Sequence, residues 1–526
     1  MGKNGEVLDP SAAPSLSSKV SNTVNVNDTN DVATTSKDDV ANRPLLPSEQ
    51  WNIGFLVLAW ACVVATMTLV VGTGAIVVKS VGGSNTVAPF SLGAFFFGMS
   101  FISLTCTHWI FKKWGRTKGF QGGIMLALLG VAIGCIAILI RSPALVIVTN
   151  VFLGAGSGIG MYLRFAAVEV VPSHYHSRAV AWVLSGGCLA AFIGPESAQA
   201  AKLLVSGHDY MGVFIVAGLL LLAEAIFVSL VQFPAPENPS AATATNNDKK
   251  VTTVDSGNAS NGFHGGAGSS ASRYQDLKSI LMSRAFLIPL FVGALSWTLM
   301  AMPMSIFRVA MKELSYTERQ SLTVIEIHFL GMYGPGFYSG GFIARNGPLK
   351  ACALSFCFFL VAALFDALVT QDNNTTTVTW YFGLILLGVG WHFGFSAATV
   401  WATKSYTAKK PSASCTSNGA SCTSMVHLKS EVQAANECGM FFLSGLTIFA
   451  TGYLFEAGGG GLKGWQVLNL TLLGPVGLTG LLLLWVYIVP MDTYNVGDTS
   501  TNEGNKRHPS YSVQQTPDDE GSVESA

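Results

Sequence analysis

Apolar residues in this chain fall in blocks of about 20 or more, set apart by short runs rich in Gly, Pro, Asn or charge. About 20 apolar residues in a helix, at 1.5 Å rise each, cross a hydrocarbon layer of about 30 Å. The pattern predicts twelve membrane-spanning helices over residues 52–78, 87–111, 120–140, 143–169, 178–203, 211–233, 285–307, 320–344, 350–370, 379–402, 434–456 and 466–489. Between the sixth and seventh lies 234–284, dominated by Ala, Asn, Ser, Gly and Thr, the composition of a flexible linker. Residues 1–50 and 491–526 hold no apolar block and read as disordered tails. The expected organisation is an all-α membrane protein with two six-helix halves, 51–233 and 285–490, joined by that linker.

Composition sharpens this picture. Half of the 526 residues are hydrophobic and only 11% are charged, less than half of the roughly 25% typical of soluble domains. A net charge of zero offers no basic surface for nucleic acid. Cys62, Cys106, Cys135, Cys188, Cys352, Cys357 and Cys438 lie in or beside apolar blocks, where thiols act as small packing residues. No metal or cofactor is expected, and no phosphate-binding Gly-x-x-x-x-Gly-Lys run appears, so an ion or solute gradient has to drive any transport.

One set of loops holds eleven basic residues, Lys112, Lys113, Arg116, Lys118, Arg178, Arg345, Lys350, Lys404, Lys409, Lys410 and Lys429. The other holds seven, Lys79, Arg141, Lys202, Arg308, Lys312, Arg319 and Lys463. Positive charge resists translocation, so both termini and the linker are expected in the cytoplasm, with the plasma membrane ahead of an organellar one. The Asn373 and Asn374 sequons in a predicted outer loop agree.

The halves repeat. Lys113-Trp-Gly115-Arg-Thr-Lys118 follows the second span and Arg345-Asn-Gly347-Pro-Leu-Lys350 the eighth, an offset of 232. Arg164-Phe-Ala-Ala with Tyr175, and Phe395-Ser-Ala-Ala with Tyr406, recur at 231. Duplicated halves are one way to build a transporter that opens to each side in turn.

From about 51 to 490 the chain resembles the major facilitator superfamily. The run His108-Trp-Ile-Phe-Lys112-Lys113-Trp-Gly115-Arg116 is similar to that superfamily's Gly-x-x-x-Asp-Arg-x-Gly-Arg loop, with His108 at the first glycine and Lys112 at the acid. Asn150 stands where many members have arginine, before Gly154 and Gly156. Gly194-Pro195 resembles the motif of the fifth helix. Arg164-Phe-Ala-Ala, Arg178-Ala-Val-Ala-Trp182, Ile327-His328 through Gly334-Pro335, and Gly390-Trp391-His392 resemble a branch of bacterial permeases, some regarded as riboflavin transporters. The resemblance implies a secondary carrier for a small organic solute, with riboflavin-like solutes as candidates. The intramembrane aromatics and Arg164 make other aromatic or anionic solutes candidates too, and histidines able to relay protons make H+ the candidate coupling ion. The resemblance also implies a cytoplasmic gate at Gly115, Arg116 and Arg178, with Glu169 as substitute partner for Arg116.

An ionisable side chain within a bilayer costs about 2.5–3.5 kcal/mol on insertion scales, so each needs a reason. His392, beside Trp391 at mid-span, and His328, before the kink-forming Gly334-Pro335-Gly336, are candidates for solute contact or a neutral structural bond. Arg164 suits either an anionic solute or a buried acid. Trp182, Trp297, Tyr333 and Trp391 are candidates for stacking on a flat solute. Glu196, Glu224, Glu326 and Glu437 are candidates for coupling, although Glu437 and Asp366 sit near span ends where solvation would suffice. The expected form is a monomer, in contact with lipid and a small solute. A non-transporting receptor or scaffold on the same fold is the alternative.

Overall fold

The computed structural model describes residues 43–105, 107–172, 175–202, 204–234, 268–370, 376–407 and 420–489. Most of the expected tails and of the 234–284 linker lie outside the described residues. In order, the α-helices are α1 Pro47–Ser80, α2 Phe90–Thr105, α3 Thr107–Leu139, α4 Pro143–Gly160, α5 Leu163–Ala166, α6 His176–Ala201 and α7 Met211–Leu230. The second series is α8 Gly268–Leu281, α9 Arg284–Glu313, α10 Glu318–Tyr333, α11 Gly336–Asn346, α12 Pro348–Ala367, α13 Thr376–Thr407, α14 Ala420–Ala457 and α15 Gly461–Ile488.

Among the described residues, ten helices are long and apolar enough to cross a membrane alone. The other two spans are composite. The second comprises α2 and the start of α3, and the eighth is α10 followed by α11. The face where α1 begins is termed the N face below, and its opposite the far face.

The repeat seen in the sequence recurs in the backbone. Gly115, which divides α3, has φ 77° and ψ 174°, and Gly347, between α11 and α12, has φ 82° and ψ 159°. Only glycine adopts that region without steric cost, so the same special residue turns the chain at the same point of each half. Close helix approach is duplicated too. A Cβ at Gly154 of α4 would stand 1.9 Å from the Phe95 carbonyl of α2, and one at Gly388 of α13 would stand 2.4 Å from the His328 carbonyl of α10. Spans two and four therefore pack as spans eight and ten do, backbone against backbone.

The halves meet where α2 packs on α14 and α6 packs on α10, with α1 against α9. Part of the sequence expected as linker is ordered. α8 lays Leu277, Ile280 and Leu281 against Phe286 and Val432 at the N face. Its three apolar positions at helical spacing lie within a polar, glycine-rich stretch that masks them.

Candidate functional site

The glycine run of α4 ends at Gly160, and a short turn leads into α5, which aims Arg164 into the seam between the halves. There Arg164 Nη2 donates to Glu437 Oε1 of α14, a pair joining residues 273 apart. Their side chains are only 4% and 3% exposed, so the pair is dry. Sequence position had placed Glu437 near solvent. The structure corrects this, because α14 begins at Ala420, well before the predicted 434, and Glu437 lies buried well inside that helix, facing the seam.

Aromatic rings enclose the guanidinium. It lies 4.7 Å from the Phe165 ring and 5.0 Å from that of Phe395. Phe395 stacks on Trp391 at 5.2 Å, and Trp391 meets Trp297 edge-on at 4.8 Å and Tyr333 at 5.9 Å. Tyr333 reaches across the seam into the space left by Gly187 of α6, where a Cβ would stand 2.3 Å from its ring. Arg164, Trp297, Tyr333 and Trp391, named separately from the sequence, thus form one connected cluster.

The cluster is rich in donors. Arg164 Nε and Nη1, Trp297 Nε1 and Trp391 Nε1 are buried and donate to no acceptor among the described residues, and Glu437 Oε2 accepts from no donor. Each such group forgoes about 1–3 kcal/mol of hydrogen bonding. Phe165, Phe286, Thr399, Thr403, Asn436 and Glu437 line a cleft on the N-face side of this cluster.

Other candidates lie elsewhere. His392 turns away from the cluster, with Nδ1 2.6 Å from the Met332 carbonyl and Nε2 2.7 Å from Ser339 Oγ. His328 Nδ1 lies 2.7 Å from the Leu384 carbonyl of α13, and its Nε2 has no partner among the described residues. Trp182 is 37% exposed and packs on Tyr175. Glu224 is buried in α7 beside Cys62 of α1. Asp366, expected near solvent, is instead fully buried, packed where Gly383 of α13 leaves room for its carboxyl.

At the N face Arg116 Nε donates to Glu169 Oε2 at 2.9 Å, with a second bond from Nη2 to Oε1. Arg178 sits 5.8 Å from the Tyr175 ring.

Bridges across the seam crowd the far face. Glu196 of α6 pairs with Arg319 of α10, whose Nη1 is 3.9 Å from the buried Glu326. Lys202 Nζ donates to Glu318 Oε2 at 2.8 Å, and Lys79 lies 3.6 Å from Glu313. Burial, with the charge of Glu318, pushes the Tyr210 phenol above its usual range, and its hydroxyl donates to Glu318 Oε1 at 3.3 Å. Arg308, counted above as a loop cation, is in fact buried in α9, donating to the Gly72 carbonyl of α1 and, at 3.1 Å, to Ser321 Oγ.

Residues 55–427 match the Major Facilitator Superfamily family model. Among curated proteins, the chain is similar to the riboflavin transporter RfnT of Brucella anthropi, 24% identical over 422 residues, covering 80% of this chain and 91% of that one. It is also similar to the MFS-type transporter YddS of Bacillus subtilis, 26% identical over 329 residues, covering 62% and 71%. Among solved structures, a bacterial homologue of the iron transporter ferroportin in an outward-facing state shares the fold, with a TM-score of 0.51, 13% identity and coverage of 84% of this chain and 100% of that one. A two-half helical bundle with a conformationally matched repeat, together with a family match over most of its length, places this chain in the Major Facilitator Superfamily of membrane transporters.

Proposed function

We propose that this transporter carries a small organic solute with a flat ring system and an anionic or carbonyl-rich edge, held at the Arg164 cluster and exposed to each side as the halves rock. The observation that carries this is the donor-rich aromatic site in the seam: four buried donor nitrogens without an acceptor among the described residues, framed by Trp297, Tyr333, Trp391 and Phe395. Rings stack on such walls with little ordering cost, and a guanidinium binds carboxylate, phosphate or imide oxygens in a fork. Riboflavin meets both requirements, and the similarity to RfnT supports it as the first solute to test.

Glu437 is the resting partner of Arg164. A solute oxygen that takes its place leaves a carboxylate in a dry seam, where a lone charge is costly, and a proton from the open side relieves it. This supports H+ as the coupling ion. Tyr333 of α10 faces Arg164, and Cys188 of α6 lies near Tyr333. With the N face in the cytoplasm of the plasma membrane, as the loop charges favour, the far-face bridges form the outer gate and Gly115, Arg116, Glu169 and Arg178 the inner one.

Liposomes containing the purified protein, offered riboflavin, other flavins, other vitamins and organic anions, provide the test. Saturable uptake of a planar solute, abolished by a protonophore, is expected. Uptake confined to solutes with neither ring nor anionic edge would reject the site, and accumulation that persists without a proton gradient would reject the coupling ion.

A further inference from the structure

The eighth span is broken at Gly334–Pro335, and one side chain bridges the break. In an unbroken helix the N–H groups of residues 335, 336 and 337 would bond the carbonyls of Gly331, Met332 and Tyr333. Pro335 has no N–H to give, and the Phe337 N–H turns to the Gly334 carbonyl at 3.4 Å instead. The Met332 carbonyl, in the last turn of α10, is met by His392 Nδ1, while Nε2 of the same ring reaches Ser339 in the first turn of α11. A carbonyl only accepts, so Nδ1 carries the hydrogen. In the neutral ring Nε2 then accepts from the Ser339 hydroxyl. The ring lies against Gly336, where a Cβ would stand at contact distance, 3.5 Å, from His392 Cε1.

The two pieces have different attachments. α10 is tied to the opposite half at the far face through Glu196–Arg319 and Lys202–Glu318. α11 continues through Gly347 into α12 and packs on α12 and α13 of its own half, besides α6. Release of the far-face pairs therefore removes the polar ties of α10 to the opposite half, while α10 keeps its packing along α13 and α11 its packing on α12, α13 and α6.

We propose that the break is a hinge on which α10 tilts when the far face opens, and that His392 is its pin, a positioning residue that fixes the resting angle through one bond to each piece. It acts on transport through α10 without touching solute. Only the uptake arm of the test below rests on the carrier function proposed above.

Spin labels at Thr323 of α10 and Ala344 of α11, in a cysteine-free background, report the angle directly by dipolar distance measurement in liposomes, with no solute present. The unsubstituted hinge gives a narrow distance distribution. Ser339→Ala removes one arm and broadens it; His392→Ala removes both and broadens it further; His392→Asn, able to reach Met332 alone, falls back to the Ser339→Ala width. Unchanged widths in Ser339→Ala and His392→Ala overturn the proposal. Ser339→Ala deletes one oxygen, so it keeps the test decisive where His392→Ala fails to fold. For whichever solute the liposome panel identifies, Ser339→Ala lowers turnover and leaves KM unchanged. A raised KM with unchanged distances would put His392 at the solute instead and overturn the pin.

Discussion

The seam between the halves is held in two ways that differ in kind. On its N-face side a buried ion pair, Arg164–Glu437, is sealed among aromatic rings. At the far face several pairs share partners in partly open surroundings: Arg319 and Glu196 are 52% and 49% exposed, and Lys202 and Glu318 are 29% and 38% exposed. Exposed pairs contribute about 0–1 kcal/mol each, so they open readily and in series. A buried pair cannot lose one member without stranding the other. These exposed far-face pairs are thus opened by small energies, and the buried pair is built to be exchanged for another partner of like chemistry.

The largest effect should come from breaking the buried pair on one side. Arg164→Met strands Glu437 and is expected to cost about 3–5 kcal/mol, seen as a lowered unfolding midpoint in detergent, with uptake lost. The double variant Arg164→Met with Glu437→Leu should regain the midpoint without regaining uptake. Stability that does not return would mean the pair is not a self-contained unit.

An intermediate effect is expected where the seam relies on shape. Gly187→Leu forces the Tyr333 ring out of its socket, an overpacking cost of about 1–3 kcal/mol, and separates α6 from α10. A midpoint unchanged by this substitution would contradict the contact.

The smallest effect on stability belongs to the far face. Arg319→Gln or Lys202→Gln should shift stability by less than about 1 kcal/mol. Either should nevertheless make cysteines placed on α6 beneath the pairs more reactive to impermeant thiol reagents. Salt at about 1 M, where screening acts within about 3 Å, should do the same to the unsubstituted protein. Equal reactivity in all three would mean that these bridges do not hold the gate.

Much of this architecture is legible in the sequence because it is periodic or local. Apolar block length gives the spans, Gly334-Pro335-Gly336 gives the break, and the recurrence of Gly115 at Gly347 gives the repeat. Across-chain partnership is not local. Nothing near Glu437 signals Arg164, 273 residues away, and Arg308 reads as a loop cation until α9 is seen to run on to Glu313. His392 shows the same limit differently. Its mid-span depth marks it as a residue with a purpose, but only the fold shows that both ring nitrogens face the broken eighth span. α8 escapes notice because three apolar residues in a polar stretch carry little periodic signal.

The seam site is tested most directly by measuring riboflavin uptake for the unsubstituted protein and Arg164→Lys, reconstituted side by side. Lysine keeps the charge opposite Glu437 but loses the planar fork and its stacking on Phe165 and Phe395. A solute held by Arg164 requires saturable uptake in the first and a fall of at least about tenfold in the second, about 1.4 kcal/mol of lost recognition, with stability largely kept. Equal uptake by the two proteins would place the solute elsewhere and contradict the site.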